Sequence, residues 1–295
     1  MNPRERGFLL LGSHLGDAER VPLSPPQLRV LSRRVRGREG EKEDRELREE
    51  DLTELGFDRE LCRRILSLLS QEGRLNDYLR RAEERGCVPV TRVTEGYPLI
   101  LRQRLGLDSP GTLWALGDLT ILNTPAIALV GSRELREVNR AFAAEVGRQA
   151  ACQGLTLVSG NARGADRTAQ EACLAAGGRV ISIVADELCR QTPRENLLYL
   201  SEEDYDQPFS AQRALSRNRC IHALGRMVFA AQSDLGHGGT WDGTVKNLRF
   251  GWSPVACFRD GSEAMARLAD MGAYLVDQGD LTDLGALLES SPRLF

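Results

Sequence analysis

The chain has 295 residues, 41 % of them apolar and 27 % charged, with a formal net charge of −3. That length allows one large domain or two of moderate size, and the composition excludes a disordered or fibrous chain. The charge excludes a globally basic surface, so a nucleic-acid partner would have to meet a local patch.

All the basic residues except Lys42 and Lys246 are arginine. Arginine forks phosphate and stacks on bases better than lysine does, although codon bias in a G+C-rich genome is the simpler explanation. The seven cysteines (Cys62, Cys87, Cys152, Cys173, Cys189, Cys220 and Cys257) form no C-x-x-C pair. An odd, scattered set argues against a disulfide framework and against zinc, and most fall in apolar runs as small core residues. A reducing cytoplasm is the expected location. The apolar stretch 8–11 is too short for a signal-peptide core, and no run approaches the ~20 apolar residues of a membrane span.

In chain order, residues 1–22 read as a poorly structured or peripheral extension. A helical domain is expected over 23–88. It starts at Ser24-Pro25-Pro26, a cap with proline in the first turn, and continues with Leu28, Leu31 and Val35 at helical spacing. Residues 36–50 are dense in both charges and predict a solvated helix or a mobile connector. Helical stretches are expected at 47–55, 59–70 and 75–85. Such a compact helical unit could touch DNA, carry dimer contacts or do neither.

A Rossmann-like domain is expected over 89–295, after a short strand at 87–91. Apolar runs at 126–130, 155–158, 179–184, 227–231, 254–258 and 273–276 alternate with helical stretches. The first of these helices carries Val138, Phe142, Val146 and Ala150 on one face. One further helix is expected within 208–225, and others at 262–271 and 281–288. At least six β-runs alternating with helices predict an α/β fold, a doubly wound, mostly parallel sheet.

Ligands of such sheets bind outside the carboxyl ends of the strands. Four loops there combine Gly, Ser or Thr with Arg: Gly131-Ser132-Arg133; Ser159-Gly160 with Arg163, Gly164 and Asp166; Arg217-Asn218-Arg219; and Gly238-Gly239-Thr240. Glycine permits close backbone approach, helix amino termini offer N–H groups to anions, and arginine adds charge. Each motif alone is an ordinary turn; their shared placement points to a phosphate-rich ligand. Asp166, in a first helical turn, is expected to cap N–H groups or to orient Arg163. No G-x-G-x-x-G dinucleotide loop, P-loop, G-x-S-x-G elbow or metal-spaced histidine occurs. His222 reads as a packing residue, and His237 beside the Gly-Gly turn as a possible ligand contact. Neither metal nor cofactor is expected, and binding groups without a nucleophile or base predict a protein that is not an enzyme.

These residues resemble the DNA-processing protein A (Smf) family. The matching motifs are Tyr97-Pro98, V-G-S-R at 130–133, S-G-x-A-R-G-x-D at 159–166, R-N-R at 217–219 and the turn at 238–240. The resemblance implies an extended Rossmann-like domain preceded by a sterile-alpha-motif-like helical domain. It implies a cytoplasmic homodimer that binds single-stranded DNA, protects it in natural transformation and recombination, and loads the RecA recombinase. Arg133, Arg163, Arg217, Arg219 and Lys246 would contact the backbone, with Gly131, Ser132, Ser159, Gly160 and Gly164 forming the phosphate pocket, and Asn218, Gly239 and Thr240 beside it. This chain departs from the family pattern at Ala165, at Ala169-Gln170, at Thr192-Pro193 and at Trp241-Asp242-Gly243; no winged helix is expected after the sheet.

Two other readings belong to different classes. The same superfamily includes nucleotide sensors of phage defence and LOG-type nucleotide hydrolases. The P-G-G-x-G-T-x-x-E glutamate of the hydrolases has no counterpart in Thr244-Val245-Lys246-Asn247, which disfavours hydrolysis but leaves sensing open. A structural adaptor with a vestigial crevice is the third, and the four arginines argue against it.

Overall fold

A computed structural model describes residues 1–36 and 47–290. Part of the charged connector expected at 36–50 therefore lies outside the described residues. The chain divides into two compact units. The first comprises residues 1–97, 110–114 and 202–205, and the second residues 98–109, 115–201 and 206–295.

The first unit is mainly helical: α1 (Pro3–Gly12), α2 (Pro25–Arg36), α3 (Glu49–Glu54), α4 (Arg59–Leu69) and α5 (Glu72–Glu83), followed by β1 (Cys87–Thr91). Leu31, Leu52, Phe57, Cys62, Ile65 and Leu68 pack into its core. Residues 1–22 are not a loose extension. Asn2 and Glu5 cap α1 reciprocally, the arrangement that satisfies two orphan N–H groups at once. Leu9, Leu10 and Leu15 are buried. Arg20 donates from the following turn to the carbonyls of Leu10 and Ser13. The apolar stretch that is too short for a signal sequence is the buried side of this helix. Tyr78, Trp114 and Tyr205 form an aromatic cluster with centroids 4.6–5.6 Å apart.

The remaining elements are α6 (Leu99–Leu105), β2 (Thr112–Leu116), β3 (Ala126–Val130), α7 (Glu137–Cys152), β4 (Thr156–Ser159), α8 (Ala165–Ala175), β5 (Arg179–Ile183), β6 (Leu197–Ser201), α9 (Ala211–Ser216), α10 (Asn218–Leu224), β7 (Val228–Ala230), α11 (Gly239–Phe250), β8 (Val255–Phe258), α12 (Glu263–Asp270), β9 (Tyr274–Val276) and α13 (Leu284–Ser290). In the second unit the sheet order is β6-β5-β4-β3-β7-β8-β9. Every pairing in it is parallel. β3, β4, β6 and β7 are buried along their whole length, as expected when helices cover both faces of a parallel sheet. The fold is thus the doubly wound α/β type.

Three expectations need correction. β6 (Leu-Leu-Tyr-Leu-Ser) is an additional core strand. The helix expected within 208–225 is two helices, α9 and α10, meeting at Arg217. Val138 is 56 % exposed, whereas Phe142, Val146 and Ala150 are fully buried. Val138 lies in the first turn of α7, which begins at Glu137, so its place on the helical face brings no burial. Five of the seven cysteines are buried; Cys152 is exposed and Cys189 half-buried, and all are free thiols.

Candidate nucleic-acid interface

β3 is the strand at which the winding reverses. From it the chain moves outward through β4, β5 and β6, then returns to the other side as β7, β8 and β9. The loops leaving β3 and β7 flank this point, where an open α/β sheet has its crevice. Ser132 crosses the gap: its amide and hydroxyl both donate to the Gln232 carbonyl, at 3.0 and 3.2 Å.

The loops after β3 and β4 interlock. The Ala165 amide donates to the Ser132 carbonyl at 3.2 Å. Gly164 has φ +88°, and an added Cβ would overlap the carbonyls of Ser132 and Arg133. Only glycine meets both the left-handed angle and the close approach. In the first turn of α8, Asp166 accepts from the Ala162 amide at 3.2 Å. An added Cβ at Gly160 would overlap the Arg217 guanidinium and the Asp166 carboxylate. Gly160 therefore marks the point where a cation, a carboxylate and a loop backbone converge.

Burial dominates the titration of Asp166. It raises the carboxyl from 3.8 to about 6, against the charges of Arg217 and Arg133 and the Ala162 hydrogen bond. Arg217 is buried and Arg133 exposed. Arg163 projects into solvent, 77 % exposed, and pairs at 3.5 Å with Glu134, itself 88 % exposed. Asp166 thus serves Arg217 and the loop amide, and Arg163 takes a different partner from the one expected. Ser159 is fully buried. Its hydroxyl accepts from Gln170 at 2.7 Å and donates to the Gly160 carbonyl. Its side chain braces the loop from behind, and Gln170, one of the departures from the family pattern, bridges it to Ser182.

The R-N-R segment is divided between two places. Arg217 lies at Gly160. Asn218 accepts from Arg217 at 3.3 Å and donates to the Gly239 carbonyl at 3.1 Å, fastening the Gly-Gly turn to α10. Arg219 donates to the Asp108 and Ser216 carbonyls, each at 3.2 Å. It lines a second groove, of about 340 Å³, with Leu215, Asp242, Lys246 and Trp252. Gly239 and Thr240 begin α11, half-buried. The predicted residues thus form a rim (Gly131, Ser132, Arg133, Gly160, Arg163, Gly164, Asp166 and Arg217) and a neighbouring groove with Asn218 between them.

Residues that sequence reasoning did not single out support this edge. Arg213 is buried in α9 and donates to the carbonyls of Ala185, Gln207 and Pro208 and to the Ser201 hydroxyl, all within 3.1 Å. Arg136 pairs with Asp260, whose side chain is fully buried. Buried Asn139 donates to both the Ala231 carbonyl and Asp260, at 2.7 Å. Burial works to raise the Asp260 carboxyl; hydrogen bonds from Ser262 and Asn139 and the charge of Arg136 override it and lower it. His222 is fully buried, and burial lowers it to about 3, so it is neutral packing. His237 is exposed beside the turn. No His, Cys, Asp or Glu group among the described residues could hold a metal.

A doubly wound parallel sheet with glycine- and arginine-bearing loops at its reversal point defines the class: an α/β protein of Rossmann-like topology. The chain belongs to the DNA recombination-mediator protein A family, whose sequence profile matches residues 89–283. It is 30 % identical over 185 residues to the DNA processing protein DprA of Streptococcus pneumoniae, covering 58 % of this chain and 65 % of that protein. It is 30 % identical over 142 residues to the Smf protein of Escherichia coli, covering 44 % and 38 %. These matches span less than two thirds of either relative. Among solved structures, the S. pneumoniae DNA processing protein A superposes with a TM-score of 0.73 at 24 % identity, over 97 % of this chain and 99 % of that one. DNA processing protein A of Helicobacter pylori, solved to describe its single-stranded DNA binding mode, gives 0.57 at 24 % identity, over 70 % and 97 %.

Proposed function

We propose that this protein binds single-stranded DNA at the carboxyl edge of its sheet and acts in DNA processing and recombination without catalysing a reaction. Phosphates lie on the Ser132 and Gly160–Gly164 loops, with Arg217 as the buried charge and Arg133 and Arg163 as exposed ones. The observation that carries this reading is the convergence of Arg217 and Asp166 on Gly160 beside the interlocked loops. Membership of the family and the single-strand binding of the H. pylori relative support it. The protein would work in the cytoplasm as a homodimer that shields the strand and passes it to RecA. No described helix is long and apolar enough to cross a membrane.

Binding of oligo-dT, duplex DNA and free nucleotides, measured side by side, tests the reading. Oligo-dT is expected to bind tightest. Arg133→Ala and Arg163→Ala should each weaken it and reduce the salt slope by about 0.7 per lost phosphate contact. Unchanged affinity in both variants removes the rim from the mechanism, and a preference for a mononucleotide favours the sensor reading. A RecA ATPase assay on strand coated with single-strand-binding protein, with and without this protein, tests the hand-over.

A further inference from the structure

The groove between α9–α10 and α11 is a poor phosphate site, because Asp242 stands in it beside Lys246. A carboxylate there repels a phosphate and calls for a ligand that donates hydrogen bonds. Asp242 and Lys246 lie one helical turn apart on α11, a spacing at which opposite charges usually pair. Both are exposed, and neither side chain bonds the other or any described residue. The same helix face therefore presents an acceptor and, next to it, a donor.

The walls suit a flat ring. Leu215, 48 % exposed, lines the groove with Trp252. The Trp252 indole stacks on Phe250, with centroids 5.7 Å apart and planes 15° apart. The volume, about 340 Å³, is at the small end of ligand sites. Arg219, held by Ser216 and Asp108, is a cation in the lining.

Resting on the single-strand reading above, we propose that this groove takes one unstacked guanine of the bound strand. Guanine is the base whose Watson–Crick edge carries two adjacent donors, N1–H and N2–H, next to an acceptor, O6. Asp242 accepts from the two donors and Lys246 donates to O6, while the ring lies against Trp252 and Leu215. Arg219 meets the flanking phosphate. Cytosine and adenine offer a carboxylate only one amino group, and thymine a single imide N–H between two carbonyls. Reading the edge of an unstacked base while its face stacks on an aromatic ring is a general mode of single-strand recognition.

The test is fluorescence anisotropy with an all-thymine oligonucleotide and with versions carrying one central guanine, inosine or cytosine. The guanine strand is expected to bind about tenfold tighter than all-thymine, the scale of one bidentate base contact. Inosine, lacking the N2 amine, should fall between, and cytosine should match thymine. Asp242→Ala, at an exposed helical position that alanine suits, should reduce the guanine advantage to less than twofold, and the thymine strand should bind no more weakly than to wild type. Equal affinity of wild type for the guanine and thymine strands overturns the assignment and leaves the strand reading standing, as does a preference that survives Asp242→Ala. If no oligonucleotide binds, the strand reading fails and the guanine site fails with it.

Discussion

Two buried carboxylates near the carboxyl edge of the sheet, Asp166 and Asp260, have arginine partners and opposite electrostatics. Asp260 accepts from Asn139, Ser262 and Arg136, and its carboxyl is lowered. Asp166 accepts one backbone amide, with Arg217 and Arg133 acting through their charge, and it is raised to about 6. Burial raises both carboxyls; at Asp260 the donors and the Arg136 charge outweigh it, and at Asp166, the more deeply buried residue, one amide and two charges do not. Asp260 is finished: it ties α7 to the loop after β8. Asp166 is held at a standing electrostatic disadvantage beside a basic loop, the condition in which pKa perturbation accompanies function.

Removing a partner from each cluster sharpens this contrast, and the largest effect belongs to Arg217. Arg217→Met leaves Asp166 buried without its nearest counter-charge. It should destabilise the fold by about 3 kcal/mol at pH 7.5 and abolish most oligo-dT binding. Denaturant unfolding at pH 7.5 and pH 5 checks it; the loss should shrink at pH 5, where Asp166 takes up a proton.

Asp166→Asn should have the next largest effect, of opposite sign. A raised folded-state pKa means that the native state holds the proton more tightly, so stability falls as pH rises from 3.8 to about 6. At about 1.4 kcal/mol per unit, that penalty is about 3 kcal/mol at pH 7.5. Asp166→Asn should recover much of it at pH 7.5 and nothing below pH 4. Wild-type DNA binding should tighten as pH falls through 6, and the variant should lose that dependence. A variant less stable than wild type at pH 7.5 would make Asp166 a second Asp260. The smallest effect is expected for Asp260→Asn, a loss of about 1–2 kcal/mol. Because this carboxyl is lowered, its contribution is present above the unfolded value of 3.8 and disappears as pH falls through the folded value. A melt unchanged by this substitution would erase the distinction.

Much of the edge was legible because strand-to-helix junctions carry their own punctuation. Apolar runs ending in Gly-Ser-Arg and Ser-Gly placed the loops after β3 and β4, and the alternation gave the sheet. What sequence could not supply was direction. Arg217 and Arg219 look like one cluster on paper, but residues two apart on a helix point about 200° apart, at 100° per residue. One reaches Gly160 and the other the groove. Ser159 carries the hydroxyl expected of a phosphate contact, yet it ends a strand that is buried throughout, and its hydroxyl meets Gln170. Arg213 gave no signal, since its partners are three backbone carbonyls and the Ser201 hydroxyl, all distant from any motif. β6 was missed although its run is as apolar as those read as strands; such a run cannot by periodicity be told from a buried helical segment.

Gly160 is glycine for its neighbours' sake. Its own backbone angle lies outside the left-handed region, so nothing local forbids alanine or serine. The veto comes from a guanidinium and a carboxylate delivered by other helices, which already occupy the space a methyl would need. A substitution there would leave the loop's conformation open to any residue and still evict the charges from their seat. Binding would then be lost through crowding, with every charged side chain of the rim still present in the sequence.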